Sequence, residues 1–196
     1  MRQIFLDVET KKAFDEVGGY FPSKLGISYV GICIRDGFSG KGKHVGFFED
    51  KLSDLWPILE GADVLIGFNI IGFDIETLRP YYSGSVESWP VLDLLDRIKA
   101  SAGHRISLDA VATQSLGVAK SGSGLDALKY YANKEFDKLS SYCDKDVAIT
   151  RDLYDYGRSK GSVKFLNKWN RLIETPVDFE FKQKKASGMQ MTLMGI

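Results

Sequence analysis

Gln3-Ile4-Phe5-Leu6-Asp7-Val8-Glu9-Thr10 opens the chain with a two-residue alternation. In an extended backbone Ile4, Leu6 and Val8 face one way, while Phe5, Asp7 and Glu9 face the other. Residues 3–8 therefore predict a buried strand that ends with two acids on one face. Taken alone, such a pair describes the solvated side of an edge strand. Asp-x-Glu also recurs at Asp74/Glu76 and Asp178/Glu180, so its surroundings must decide what it means.

Outward from this strand, Ile27–Arg35 and Val45–Phe48 predict two more, separated by the glycine-rich turn at residues 36–42. Ser53–Glu60 predicts a short helix with Pro57 near its first turn, followed by the apolar strand Val64–Phe68. A second helix is expected from Phe73 or Asp74 to Pro80, then a strand over Trp89–Leu92 leading into Asp93. Ser107 is placed to cap a helix over Leu108–Leu116 that Gly117 ends, and Gly122-Ser123-Gly124 breaks the chain before Leu125–Ala132. A long helix is expected from about Phe136 to Tyr156, and late strands over Val163–Phe165 and Val177–Phe181. From Lys185 no pattern remains. The expected organisation is one domain over residues 1–184 with a disordered tail at 185–196. A three-strand meander followed by alternating helices and strands predicts an α/β class. This mixed β-sheet flanked by α-helices resembles an RNase H-like fold.

The 196 residues, 44% hydrophobic and 12% aromatic, are enough for one sizeable core. No apolar run approaches the roughly 20 residues that cross a bilayer, and Met1-Arg2-Gln3 runs directly into a strand without a signal-peptide core. A soluble, cytoplasmic protein is expected, with no membrane partner. Two cysteines, Cys33 and Cys143, are too few for a disulfide framework or a cysteine-rich zinc site, and both are expected to be reduced and structural. Lys plus Arg equals Asp plus Glu at 26 each, so no long-range field draws in a polyanion, and any grip on nucleic acid must be local.

Two further aspartates join the opening pair. Asp74 follows the Val64–Phe68 strand, where it can either cap a helix or present a carboxylate at the end of an interior strand, the usual ligand position in open sheets. Asp146 falls inside the apolar stripe Phe136, Leu139, Tyr142, Cys143, Val147, Ile149, Leu153 of the long helix. A lone carboxylate buried there costs several kcal/mol unless a cation or a dense hydrogen-bond network meets it. Tyr142 precedes Asp146 by one turn on the same helix face. Asp144 and Asp152 lie off the stripe and are expected to be solvated. Clustered hard oxygen ligands are what Mg²⁺ or Mn²⁺ requires, and two such ions roughly 3.5–4 Å apart suit phosphodiester hydrolysis.

In this order, Phe5-Leu6-Asp7-Val8-Glu9-Thr10, Asn69-x-x-x-Phe73-Asp74 and Tyr142-x-x-x-Asp146 resemble the motifs of the DEDD superfamily of 3′–5′ exonucleases. The resemblance runs from Ile4 to about Tyr156 and is nearest to the proofreading exonuclease domain of family B DNA polymerases and its stand-alone relatives. Ser141 stands where one branch carries histidine, and Tyr142 stands where the other carries tyrosine, so the chain resembles the tyrosine branch. The resemblance implies that Asp7, Glu9, Asp74 and Asp146 hold two divalent ions, Mg²⁺ or Mn²⁺, with Asp7 bridging them. It implies that Tyr142 orients the attacking water. With an ordinary pKa of about 10, a tyrosine positions water rather than deprotonating it at neutral pH.

Thr10, Asn69 and Phe73 are the expected nucleic-acid contacts, and single-stranded DNA or RNA 3′ ends the expected substrates, with DNA favoured. A replication or repair protein is a further expected partner. Phe14, Tyr20 and Phe21, beside Lys11, Lys12 and Lys24, either stack on terminal bases or complete the core. Arg105, Lys120 and Lys129 read as solvated surface, as do His44 and His104. Two other functions share these residues: a non-catalytic RNase H-like module that binds nucleic acid or protein, and an RNA-processing exonuclease.

Overall fold

The computed structural model describes residues 1–118 and 124–181. The opening strand, β1 (Arg2–Thr10), is followed by β2 (Ile27–Asp36), β3 (Lys43–Phe47), β4 (Val64–Gly67) and β5 (Val91–Asp93), in the spatial order β3-β2-β1-β4-β5. β2 pairs antiparallel with β1 and with β3, while β4 lies parallel to β1 and β5 parallel to β4. The helices are α1 (Leu52–Glu60), α2 (Asp74–Leu78), α3 (Leu94–Ala102), α4 (Leu108–Leu116), α5 (Gly124–Ala132) and α6 (Phe136–Lys160). A separate hairpin, β6 (Ser162–Leu166) and β7 (Leu172–Pro176), follows α6. This is an RNase H-like α/β fold. The expected break at residues 122–124 and the tail from Lys185 fall largely outside the described residues.

The alternation in β1 sorts its side chains between two cores. Ile4, Leu6 and Val8 pack with Leu52, Leu55 and Leu59 of α1 and Ile75 and Leu78 of α2. Phe5 packs on the other face with Val147, Leu153 and Tyr154 of α6. Asp7 and Glu9 thus point toward α6, the helix that carries Asp146.

Two devices fix α6 on the sheet. At one end, the buried Arg35 guanidinium donates to both oxygens of Asp155 at 2.7 and 2.8 Å and to Gln3 Oε1 at 2.8 and 2.9 Å, and Gln3 Nε2 reaches the Tyr154 hydroxyl at 3.0 Å. At the other end, Gly31 of β2 lies opposite Asp7 of β1. A methyl group on Gly31 would stand 2.8 Å from Cys143 Sγ and 3.2 Å from Val147 Cγ2. The missing side chain is what lets α6 approach β1. Gly31→Ala is expected to lift the helix and destabilise the protein by about 1–3 kcal/mol. Thermal denaturation tests this, and an alanine variant as stable as the wild type would refute the role given to Gly31.

Two expectations need correction, and one helix was missed. The second late strand is Leu172–Pro176, not Val177–Phe181, because Asn167 organises a tight turn that pairs β6 with the nearer segment: its Oδ1 accepts from the backbone N–H groups of Trp169 and Arg171. The apolar alternation beyond it serves packing, with Phe179 stacked on Tyr154 at 6.4 Å. α3 was not foreseen; Asp93 caps it through the N–H groups of Leu95 and Asp96, and Gly103, at φ 80°, ends it. Asp144 is half-buried beside Gly31 and Tyr29 rather than solvated, since the close seating of α6 brings its flank onto β2.

Candidate active site

Asp7, Glu9, Tyr142 and Asp146 line one cavity of about 620 Å³, together with Thr10, Phe14, Phe73 and Leu125. Asp74 does not line it and is buried, 3% exposed. Its Oδ1 accepts the Val8 N–H at 2.9 Å, at a level of β1 beyond the last residue that pairs with β4. The capping alternative for Asp74 therefore gives way: Phe73 occupies the cap position, and the carboxylate reaches across to β1.

These acids raise one another's pKa. Burial and then Asp146 push Asp7 up to about 7. Glu9 is raised well above the usual carboxylate range by burial and then by Asp7, Asp146 and Asp74. Asp74 is raised by burial and then by Asp7, against the opposing Val8 hydrogen bond. The charges that raise Glu9 are the carboxylates of Asp7, Asp146 and Asp74, a repulsion that a cation would relieve. Burial, then Asp146, Glu9 and Asp7, push the Tyr142 hydroxyl above its ordinary pKa and keep it a donor.

Cys143 enters the site, which the sequence did not indicate. Its thiol lies 3.4 Å from Asp7 Oδ2 and from the Asp7 carbonyl oxygen, and burial and then Asp7 raise its pKa, so it stays protonated and donates. Ligand atoms of Asp7, Glu9 and Cys143 lie within 4.8 Å of one another. The position of Cys143, three residues before Asp146 on the same stripe, was the available clue.

The expected substrate contacts divide. Thr10 and Phe73 line the cavity; Thr10 Oγ1 donates to the Lys12 carbonyl at 3.0 Å. Phe73 meets Phe14 edge-on at 6.0 Å, and Phe14 stacks on the exposed Tyr20 at 4.7 Å, so part of the aromatic segment forms a wall of the cleft rather than core. Asn69 lies outside the cavity, bordering a neighbouring groove with Arg105 and Ser107. It adopts a left-handed conformation, φ 68°, held by the Asp93 carboxylate, which accepts the N–H groups of Asn69 and Ile71 at 2.9 and 3.1 Å. Arg105 is placed by a function the sequence did not reveal: its Nη2 donates to Asn69 Oδ1 at 2.9 Å. A larger groove of about 770 Å³ beside Trp89 and Phe181 shares no lining residue with this cavity, and Arg79 bridges its Glu76 and Glu87.

A family model for the RNase H superfamily, RNase_H_2, matches residues 4–157. The chain belongs to the RNase H superfamily. The family B DNA polymerase of the hyperthermophilic archaeon Pyrobaculum calidifontis matches with a TM-score of 0.61 and 17% identity, over 81% of this chain and 24% of that one. The zinc-bound complex of E. coli ExoI with single-stranded DNA gives a TM-score of 0.49 and 15% identity, over 81% of this chain and 41% of that one. At such identities the likeness is one of fold, and this RNase H superfamily chain spans less than half the length of either. No curated protein matches it. Among the described residues no helix is long and apolar enough to cross a membrane.

Proposed function

We propose that this protein is a metal-dependent 3′–5′ exonuclease of the DEDD type, tyrosine branch, acting on single-stranded 3′ ends with DNA favoured over RNA. The observation that carries this reading is that Asp7, Glu9 and Asp146 line one partly apolar cleft beside Tyr142, with the buried Asp74 held against Val8 of the strand that carries Asp7 and Glu9. The donor set is hard oxygen, crowded and mutually repelling, which fits Mg²⁺ or Mn²⁺. Asp7, Glu9 and Asp146 would hold one ion, and Asp7 with Asp74 the other. Two such ions supply acidity for the attacking water and neutralise charge on the scissile phosphate.

The chain's own residues do the positioning. The Val8 N–H orients Asp74, the Cys143 thiol orients Asp7, and the Tyr142 hydroxyl, hydrogen-bonded to Asp146, aligns the attacking water. Phe14, Phe73 and Leu125 offer an apolar wall to the terminal nucleoside. Attack of water on phosphorus breaks the P–O3′ bond, leaves a 3′-hydroxyl on the shortened strand and releases a nucleoside 5′-monophosphate.

The test is a denaturing-gel time course with 5′-labelled single-stranded DNA and RNA of one sequence, in Mg²⁺, Mn²⁺ and EDTA, beside Asp146→Ala. A metal-dependent ladder of shortening products, absent in the variant, is expected, with DNA degraded faster. Intact substrate in every lane would favour the non-catalytic binding module, and faster RNA decay the RNA-processing enzyme. Tyr142→Phe is expected to lower kcat about 10–100-fold and leave the Mn²⁺ concentration for half-maximal rate unchanged. A larger change in metal affinity than in turnover would show that the tyrosine does something other than position water.

A further inference from the structure

The β6–β7 hairpin has no part in the chemistry above, yet its tip, Asn167-Lys168-Trp169-Asn170-Arg171, carries the most exposed large hydrophobic side chain among the described residues, Trp169 at 69%. The Lys164 N–H donates to Ser115 Oγ at 2.8 Å, and the next residue, Phe165, two residues before the tip begins, meets the ring of His104 at 5.8 Å. Beside His104, Arg105, Ser107 and Leu108 border the groove shared with Asn69, and Ser107 and Leu108 also line a small cavity with Tyr142 and Asp146. The hairpin therefore stands next to a surface path that leads to the carboxylates. Arg105 is anchored on Asn69 in that groove.

We propose that this tip is a second binding site for the single strand that feeds the cleft, with Trp169 stacking on a base upstream of the scissile bond and Lys168 and Arg171 meeting the flanking phosphates. The inference rests on the nuclease reading. Between Asn167 and Leu172 there are two cations and no acid, and the Lys168 ammonium lies 4.5 Å from the Trp169 ring centroid, so charge and aromatic face are presented together. That pairing fits a polyanion bearing flat bases better than an apolar peptide. The tip is also ordered in advance: Asn167 Oδ1 accepts from Trp169 N–H and Arg171 N–H at 3.0 and 3.1 Å, and Asn170 takes the left-handed turn position at φ 59°. Little ordering remains to be done on binding. A chain with zero net charge needs such local contacts to hold a strand.

The experiment measures fluorescence anisotropy of 5′-fluorescein-labelled dT20 and dT4 in EDTA, where no turnover occurs, with the wild type, Trp169→Ala, Trp169→Phe and Lys168→Ala/Arg171→Ala. Wild type is expected to prefer dT20. Trp169→Ala should weaken dT20 binding about tenfold and erase most of that preference, Trp169→Phe should retain it, and the double variant should flatten the salt dependence. dT20 binding by Trp169→Ala equal to wild type would overturn the proposal, as would equal losses in Trp169→Phe and Trp169→Ala, which mark a structural or protein-contact role. Cleavage in Mn²⁺ by a wild type whose binding ignores Trp169 would refute the hairpin contact alone. Trp169-dependent binding without cleavage would refute the nuclease reading alone. Absence of dT20 binding would overturn the hairpin contact, and absence of cleavage in Mn²⁺ as well would overturn both.

Discussion

Asp7→Asn is expected to reduce hydrolysis by about 10³-fold or more and, in chelator, to make the protein harder to melt. Asp7 is the hub of the cluster: its charge acts on both Glu9 and Asp74, and Asp146 raises its own pKa. An amide keeps the shape and can still accept from Cys143, but removes the charge that the ions need and that the metal-free fold must tolerate. Relief of that repulsion should stabilise the apoprotein on the order of 1–2 kcal/mol, or about 5 °C in a chain of this size. Gel assays and melting curves in EDTA, taken together, decide the matter. Retained cleavage would remove Asp7 from the site. A lower melting temperature in EDTA would mean that the carboxylate is held by favourable contacts rather than strained by its neighbours.

Without metal, the wild type should lose stability as pH rises from about 5 to about 8. Burial and Asp146 raise Asp7 to about 7 from an ordinary 3.8, and Glu9 and Asp74 move the same way. Between the unfolded and folded pKa values the native state keeps a proton that the unfolded chain has lost. The stabilisation is complete below the unfolded value and disappears through the folded one, at up to about 1.4 kcal/mol per pH unit and group. Mn²⁺ at a hundredfold excess over its dissociation constant adds about 2.7 kcal/mol, and its effect on melting should grow with pH because only ionised carboxylates bind it. Melting temperatures across this range, with EDTA and with Mn²⁺, provide the check. Two flat, superimposed curves would show that the acids neither repel one another nor hold an ion.

The strand alternation at Ile4–Glu9 and the stripe of α6 were legible because each is a local periodicity, and together they put Asp7, Glu9 and Asp146 on facing surfaces. What stayed hidden depends on contacts distant in sequence. Nothing near Gly31 announces that Cys143 must rest on it, nor does anything near Asp93 show that it gathers the backbone of Asn69 and Ile71 as well as capping α3. Asp74 fitted both a helix cap and a ligand at a strand end; what its neighbours did not reveal is its partner, the Val8 N–H of another segment. Val177–Phe181 misled differently: its alternation is real, but Phe179 is spent on Tyr154 and Gly157 instead of a ladder.

The seat that Gly31 leaves for α6 also sets an order of events during synthesis. Asp7, Glu9 and Asp74 leave the ribosome first, and Asp146 follows 72 residues after Asp74, a delay of several seconds at about 5–20 residues per second. Until the helix emerges and settles on β2, a nascent chain carries three of the acids but neither the fourth nor the tyrosine. The carboxylate cluster is thereby left unassembled, its mutual repulsion not yet felt, until the fold is closed.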